Sequence, residues 1–464
     1  MGIEGLWSRG RVRPDVVRRV AHVAFTLVAC VLAIRWIQQS LPNYLPKDWS
    51  RVHMYDGLED WETARYFLRG KNPYAPASLA ELGRHALGHP PTAGFWCIPL
   101  APLEKEIAAE VLDLANMFLL ALSIYLCARE LKLPAPAAVG VLVWGWFLTT
   151  DGMTMHWHSV QTSAEVGFAL VLGWVYLRRG AEIPAGIAVG VAATIKLFPG
   201  VLIVFLLIAR RYRAFLAASA TYLAVAAVMT STYGLRSWQQ FLVQQGGPQG
   251  FWVGHVRNAS LQGVFLRTIS PLCKSSPLPN TRTTVVAIVL SVLLLVLAAL
   301  LSRRMLKHAR EENYSSIDLP FALFSVLGTF LNPWIWEHYH VLLVQPVFVL
   351  VASVWTSFRR TWCEWLDELA PNWALVRHGV PLLLVVSGVS ASVYMLKNNQ
   401  YAKTEIQNLW RAHPSPWYHR YLHITEVFNW LPWVITLLLC ALVTWHLSPH
   451  ARAPVTELSA PHGT

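Results

Sequence analysis

Residues 283–301 read TTVVAIVLSVLLLVLAALL, an apolar run without a charged side chain. A helix of about 20 such residues crosses the hydrocarbon core of a bilayer, which is roughly 30 Å thick. Runs of this character recur along the 464-residue chain, in which 55% of the residues are hydrophobic and 14% are charged. This composition, with a mean hydropathy of +0.40, excludes an ordinary soluble domain and predicts an all-α polytopic membrane protein.

The basic residues indicate the orientation of the chain. The formal net charge is +12, but Lys and Arg stand in short clusters between apolar runs, which argues against a nucleic-acid partner. Cytoplasmic loops carry the excess of Lys and Arg, so both termini are predicted to be cytoplasmic. The clusters assigned to that side are Arg178 with Arg179, Arg210 with Arg211 and Arg213, Arg303 with Arg304 and Lys307, and Arg359 with Arg360.

The resulting map has about twelve transmembrane helices, within a range of about 11–13. The predicted spans are 19–41, 107–127, 136–152, 160–178, 182–196, 197–209, 213–232, 283–301, 318–334, 338–356, 378–396 and 431–447. The short apolar piece 91–103, closed by Pro99 and Pro102, is predicted to dip into the membrane without crossing. Residues 1–447 are predicted to form one membrane-embedded domain, and 448–464 a cytoplasmic tail.

Three long loops are predicted on the extracytoplasmic side, at 42–90, 233–282 and 397–430, and the first contains juxtamembrane helices. This first loop carries the four acids Asp56, Glu59, Asp60 and Glu62. A carboxylate at the mouth of a membrane cavity can act as a general base, because partial burial raises its pKa. The alternative is a solvated helix start favoured by the helix dipole. The closing turn, His89-Pro90-Pro91, fixes the entry of the chain into the membrane and by itself implies no catalysis.

Lys196 is predicted near the outer end of a span, where Gln161 begins another. A lysine at membrane depth is costly, so it indicates a function with an anionic partner, and snorkelling of its ammonium to the headgroups is the alternative. His338 and His340 follow a Pro-kinked span end and share the outer face with His156 and His158. No third-ligand spacing accompanies these pairs, so no metal is predicted, and His338 is interpreted as a phosphate contact or proton partner.

The later outer loops carry further candidates. Arg267 can pair a phosphate with its fixed guanidinium fork, or bind a lipid headgroup. Asn258 to Ser260 matches the glycosylation sequon, a pattern that is common by chance. Trp417 belongs to an aromatic group that fits an interfacial belt as well as a sugar-stacking surface. The six cysteines are scattered without a CxxC, which predicts neither a disulfide framework nor a zinc ribbon.

The order of these motifs resembles that of glycosyltransferase family 87, in the membrane-embedded C-type superfamily. The family pattern has an aspartate, Gly-x-x-Pro-Tyr, Pro-Pro before Ala-Pro-Leu, a Gln that begins a span, Lys-x-Phe-Pro, Asn-x-Ser-Leu-x-Gly with a following Arg, and Pro-x-x-Trp-x-His. The chain carries these as Asp56, Gly70 to Tyr74, Pro90-Pro91 with Ala101-Pro102-Leu103, Gln161, Lys196 to Pro199, Asn258 to Gly263 with Arg267, and Pro333 to His338. Two positions depart from the pattern: Val160 replaces the usual Gly, and Tyr339 interrupts the usual His-His pair.

The resemblance implies the C-type glycosyltransferase fold and an inverting hexosyltransferase. Such an enzyme moves a sugar, most commonly mannose, from a polyprenyl-phosphate donor to a hydroxyl acceptor on a glycolipid or glycan, without a nucleotide or other cofactor. It would lie in a bacterial plasma membrane, with its active site on the extracytoplasmic face.

The residue roles implied by the resemblance follow the matched motifs. Asp56, which the family register favours over Asp60, would be the catalytic base. Lys196, Arg267 and His338 would bind the donor phosphate. Substrate contacts are assigned to Tyr74, Gln161, Asn258, His340 and Trp417. Two alternatives are a transporter or flippase of a lipid-linked or anionic substrate, which should show paired broken helices at mid-membrane, and a lipid-binding protein without turnover.

Overall fold

The computed structural model describes residues 14–44, 58–133, 136–148, 150–246, 253–254, 258, 260–269, 279–308, 317–350 and 352. Within these ranges the regular structure is entirely helical, as predicted. The α-helices are α1 (Pro14–Tyr44), α2 (Leu58–Leu68), α3 (Pro76–Glu81), α4 (Lys105–Glu130), α5 (Pro136–Leu148), α6 (Asp151–His158), α7 (Ser163–Arg178), α8 (Glu182–Ile195), α9 (Gly200–Ile208), α10 (Tyr212–Tyr233), α11 (Arg236–Gly246), α12 (Leu261–Ile269), α13 (Thr281–His308) and α14 (Asp318–Leu331). Two 3-10 helices cover Ala93–Leu100 and Glu337–Leu343.

Four helices of the described part are long and apolar enough to cross a membrane: Val23–Ser40 within α1, Lys105–Glu130, Tyr212–Tyr233 and Thr281–Leu306. The last has large apolar side chains on its surface, with Leu293 and Leu300 59% and 60% exposed. Such a surface is stable against lipid tails and unstable in water. The helices therefore agree with a membrane protein, while the count of about twelve crossings and the C-type fold stay predictions.

The helices α8 and α9 match the bounds predicted over 182–196 and 197–209 to within three residues, and both are short. At about 1.5 Å per residue neither reaches the roughly 30 Å of the hydrocarbon core. The break between them has a local cause: Lys196 adopts an extended backbone after the last turn of α8, and Pro199 precedes the first turn of α9. The predicted spans 378–396 and 431–447, with the loop 397–430 and the tail 448–464, lie outside the described residues.

α8 packs directly on α10 through two glycines. A Cβ at Gly186 would overlap the carbonyl oxygen of Ala214, and one at Gly190 would lie 2.6 Å from that of Ala218. Small residues allow membrane helices to approach backbone to backbone, where dispersion contacts are densest. This contact fixes the position of α8 relative to its neighbour.

The two ends of the described helical bundle differ in chemistry. At one end Arg178 lies 3.4 Å from Asp318 and Arg179 lies 2.7 Å from Glu130, while Arg211 pairs with Glu182 at 3.2 Å. α8 runs from Glu182 at this end toward Lys196, about 20 Å away at its helical rise. Two of the basic clusters assigned to one side by sequence, Arg178 with Arg179 and the cluster that contains Arg211, thus share one end of the structure with their acidic partners.

The predicted dipping piece forms the 3-10 helix Ala93–Leu100, which packs on α2. The indole of Trp61 donates a hydrogen bond to the carbonyl of Leu100 at 3.0 Å. A Cβ on Gly94 would lie 2.9 Å from the Cβ of Thr63, so only glycine permits the approach without a shift of Thr63. α2 and α3 are the short helices of the first predicted loop, and the 3-10 helix holds α2 against the bundle.

Candidate functional site

Lys196 is the centre of the candidate site. Its side chain is 4% exposed, and its ammonium donates hydrogen bonds to the Tyr339 hydroxyl at 3.2 Å and to Gln161 Oε1 at 3.4 Å. His89 Nε2 lies 3.3 Å away, and the ammonium lies 4.7 Å from the centroid of the Tyr339 ring. Three distant parts of the sequence thus converge on one cation.

The partners of this cation are all uncharged groups or a histidine. Within the described ranges, no carboxylate lies within ion-pair distance of the Lys196 ammonium. A buried cation is unfavourable unless it is paired, so this arrangement is suited to an anionic ligand. The burial also excludes snorkelling of Lys196 to the headgroups, the alternative left open by the sequence.

His89 connects Lys196 to α2. Its Nδ1 lies 2.9 Å from Asp60 Oδ1. A carboxylate only accepts hydrogen bonds, so Nδ1 carries the proton of the neutral ring and Nε2 is left to accept from the ammonium of Lys196. The Tyr74 hydroxyl donates to the His89 carbonyl at 2.8 Å, and burial raises the pKa of that phenol well above its usual range. Tyr74 therefore positions His89, and a substrate contact of Tyr74 stays a prediction.

The acidic start of α2 is not a solvated surface. Glu59 and Asp60 are 6% and 1% exposed. The carboxylates of Glu59 and Glu62 bind Arg84 at 2.8 and 2.9 Å, and Glu59 also accepts the Gly88 amide at 2.8 Å. These two acids therefore anchor the segment that leads to His89. The alternative of a solvated helix start is wrong for them and for Asp60.

Gln161, which accepts a hydrogen bond from Lys196, follows a residue with an unusual backbone conformation. The preceding residue, Val160, is fully buried and has φ +49°, in the left-handed region that favours glycine. A β-branched side chain is strained there, which explains physically why the family pattern has Gly at this place. The Gln161 carbonyl accepts a 2.6 Å hydrogen bond from Asn116, which holds the turn in position.

Asn258 joins two segments that are distant in sequence. Its amide donates to the carbonyls of Val253 and Pro333 at 2.9 and 2.6 Å, and its oxygen accepts from the amides of Ser260 and Ile335, both at 3.0 Å. Asn258 is fully buried, so the sequon is not accessible to glycosylation in the folded chain. This residue positions the segment that leads to His338, and its contact with substrate stays a prediction.

His338 lies beside the lysine's aromatic partner. It is 4% exposed, and its ring centroid is 4.6 Å from that of Tyr339. His340 is half-buried in the same 3-10 helix. In the part of the chain that the structure describes, no group of three or more His, Cys, Asp or Glu side chains is placed to hold a metal ion. The phosphate role of His338 stays a prediction.

The positions of three predicted site side chains are not described by the structure. Asp56 and Trp417 lie outside the described residues, as does the side chain of Arg267, whose backbone belongs to α12. The structure brings together Lys196, Gln161 and the neighbourhood of His338. It also adds three residues that the sequence did not assign to the site: His89, which was interpreted only as part of a turn, Asp60, and Tyr339, which was noted only as a departure from the family pattern.

The comparison with known families agrees with this geometry. The family model described as Glycosyltransferase family 87 matches residues 88–329, just over half of the chain, including the segments that carry His89, Gln161 and Lys196. No curated protein matches the chain. The family decides between the enzyme and the transporter or lipid-binding alternatives. The chain belongs to glycosyltransferase family 87 and is a membrane glycosyltransferase.

Proposed function

We propose that the enzyme transfers a hexose, most commonly mannose in this family, from a polyprenyl-phosphate donor to a hydroxyl acceptor with inversion of the anomeric centre. The observation that carries this proposal is Lys196, a buried ammonium whose described partners include no carboxylate. A phosphate is the anion that such a donor brings, and burial strengthens its attraction to the ammonium.

Asp56 is proposed as the base that removes the acceptor proton. The transition state resembles the oxocarbenium ion of glycoside hydrolysis, but a phosphate leaves as an anion and needs no acid catalyst. One carboxylate is therefore sufficient. Lys196, with Arg267 and His338, is proposed to stabilise the charge that develops on the leaving phosphate.

The donor and acceptor are proposed to reach the site from the membrane. The four apolar spans of the described part place the protein in a bilayer, which also dissolves a polyprenyl chain. The acceptor is proposed to be a glycolipid or glycan hydroxyl on the extracytoplasmic face of a bacterial plasma membrane.

Donor class is tested with purified enzyme in proteoliposomes that contain a lipid acceptor extract. We expect mass spectrometry to detect a product with one added hexose when polyprenyl-phosphate-mannose is supplied, and none with nucleoside-diphosphate mannose. Polyprenyl-phosphate donors with glucose and arabinose form the matched panel that identifies the sugar. Transfer from the nucleotide sugar alone would overturn the proposal.

Sidedness is tested by cysteine labelling in α3, which is proposed to be extracytoplasmic. Ser78 is unsuitable because it is buried and its hydroxyl donates to the Asn72 carbonyl at 2.7 Å, whereas Ala80 is exposed. With the six native cysteines replaced, Ala80→Cys should react with a membrane-impermeant maleimide in intact cells. Arg213→Cys, on the proposed cytoplasmic side, should react only after lysis. The reverse pattern would invert the proposed topology.

A further inference from the structure

A small cavity of about 180 Å³ lies next to the lysine site. It is enclosed by α2, the 3-10 helix Ala93–Leu100, α4 and the first turn of α7. Its lining includes Asp60, Trp96, Leu112, Ala115, Thr162 and Glu165. On the same measure of volume one water needs about 10–15 Å³, so the cavity has room for a much larger ligand.

Three side-chain oxygens of this lining have no hydrogen-bond partner in the described part of the chain. They are Asp60 Oδ2, Thr162 Oγ1 and Glu165 Oε2, all three buried from solvent. Asp60 and Thr162 are 1% and 4% exposed as whole residues. A buried polar atom without a partner costs about 1–3 kcal/mol, so a ligand that supplies hydrogen-bond partners would be bound favourably.

The chemistry of the lining matches a polyhydroxylated ring. Carboxylate oxygens accept from hydroxyl groups, and the Thr162 hydroxyl both donates and accepts. Leu112, Ala115 and the indole of Trp96 give the remaining wall an apolar character that suits the C–H faces of a pyranose. A divalent cation fits less well, because no group of three or more ligating side chains for a metal occurs within the described ranges.

The position of the cavity connects it to the proposed phosphate site. Ile195, which immediately precedes Lys196, lines the cavity. Asp60 presents its Oδ1 to His89, the neighbour of the Lys196 ammonium, and its Oδ2 is the oxygen without a partner. In a polyprenyl-phosphate sugar a single phosphoester oxygen separates phosphate from ring. A phosphate at Lys196 therefore places its sugar within reach of the cavity.

We propose that this cavity binds the sugar ring of the lipid-phosphate donor, with Asp60, Thr162 and Glu165 as the acceptors and donors for its hydroxyl groups. The inference rests on the proposed function and adds to it the residues that recognise the sugar. Asp60 has two contacts in this arrangement, because it orients His89 through one oxygen and holds a sugar hydroxyl through the other. The site distinguishes a glycosylated from a sugar-free polyprenyl phosphate.

The test compares the binding of polyprenyl-phosphate-mannose and sugar-free polyprenyl phosphate to the purified full-length enzyme. Glu165→Gln should weaken binding of the mannosyl lipid about tenfold, as expected for the loss of one hydrogen bond, and should leave binding of the sugar-free lipid unchanged. Thr162→Val should act in the same direction and more weakly. Thr162 makes no side-chain capping bond to α7, so this change removes no described contact of the fold.

Glu110→Gln, an exposed carboxylate on α4 away from the cavity, is the matched control and should bind both lipids as the wild type does. Unchanged mannosyl-lipid binding in both cavity variants, or an equal loss for the two lipids, would overturn the inference. Equal affinity of the wild type for the two lipids would overturn it as well. A wild type that binds neither lipid would instead remove the proposed function, and the inference with it.

Discussion

Replacing Asp56 by Asn should lower the rate of sugar transfer by about 10²–10⁴-fold, the usual contribution of a positioned general base. The amide keeps the size of the side chain and loses its ability to take the acceptor proton. The loss should appear in kcat with the donor KM nearly unchanged, because Asp56 is proposed to act on the acceptor oxygen and not on the donor phosphate. Initial rates in proteoliposomes with polyprenyl-phosphate-mannose measure both constants.

Two further variants isolate this effect. Glu81→Gln, at an exposed acid of α3 in the same predicted loop, should retain wild-type transfer. Asp60→Asn should chiefly raise the donor KM, because Asp60 contacts His89 and lines the cavity that is proposed to bind the sugar. Undiminished transfer by Asp56→Asn would exclude it as the base. A loss confined to kcat in Asp60→Asn would move the role of base to Asp60.

Replacing Lys196 by Met should weaken binding of polyprenyl phosphate by about 10²–10³-fold, the order expected when one partner of a buried charge pair is removed from a binding site. Methionine keeps an unbranched apolar stem of similar length and removes the ammonium. Because the described partners of Lys196 include no carboxylate, the change leaves no described anion without its partner. The change removes a donor to Gln161 Oε1 and His89 Nε2, but it also removes a buried charge that has no described anionic partner, so thermal unfolding should remain close to that of the wild type.

Equilibrium binding of the sugar-free lipid measures this effect without chemistry. Lys71→Met, at an exposed lysine of the first predicted loop, is the matched control and should bind as the wild type does. Tight binding by Lys196→Met would show that the phosphate lies elsewhere. That result would not affect the proposed role of Asp56 as base, which is tested separately by Asp56→Asn.

The sequence predicted helices well where apolar length alone decides them. The predicted span 107–127 corresponds to α4 and 213–232 to α10, because long apolar runs have few other stable states in a bilayer. It also predicted the bounds of the pair 182–196 and 197–209 to within three residues of α8 and α9, but whether each of them crosses the membrane stays a prediction. There the extended backbone of Lys196 and the proline at position 199 divide a short apolar stretch, and hydropathy does not reveal how each half lies in the membrane.

Sequence alone indicated a functional position for Lys196 but did not indicate its hydrogen-bond partners Tyr339 and His89. Lys196 was identifiable because a lysine at membrane depth is costly. Its contacts with Tyr339 and His89 join residues that are far apart in sequence, so they could not be predicted without the fold. In the turn His89-Pro90-Pro91, the sequence indicated a role only for the prolines and did not identify His89 as a residue of the site. For Glu59 and Glu62 the sequence was ambiguous in another way, because each of these neighbouring acids could have been a catalytic base. In the structure both pair with Arg84, which gives them a structural role.

The contact of Gly186 and Gly190 with the backbone of α10 has a consequence for catalysis. At Gly186 and Gly190 the contact is with the backbone of α10 and not with a long flexible side chain. A lateral displacement of α8 would therefore separate it from α10. Lys196 follows the last turn of α8, so we expect its backbone to keep its position during turnover. If the donor is a polyprenyl-phosphate sugar, as proposed, its loading and the release of the spent carrier are expected to require movement of the elements that face α8 and not of α8 itself.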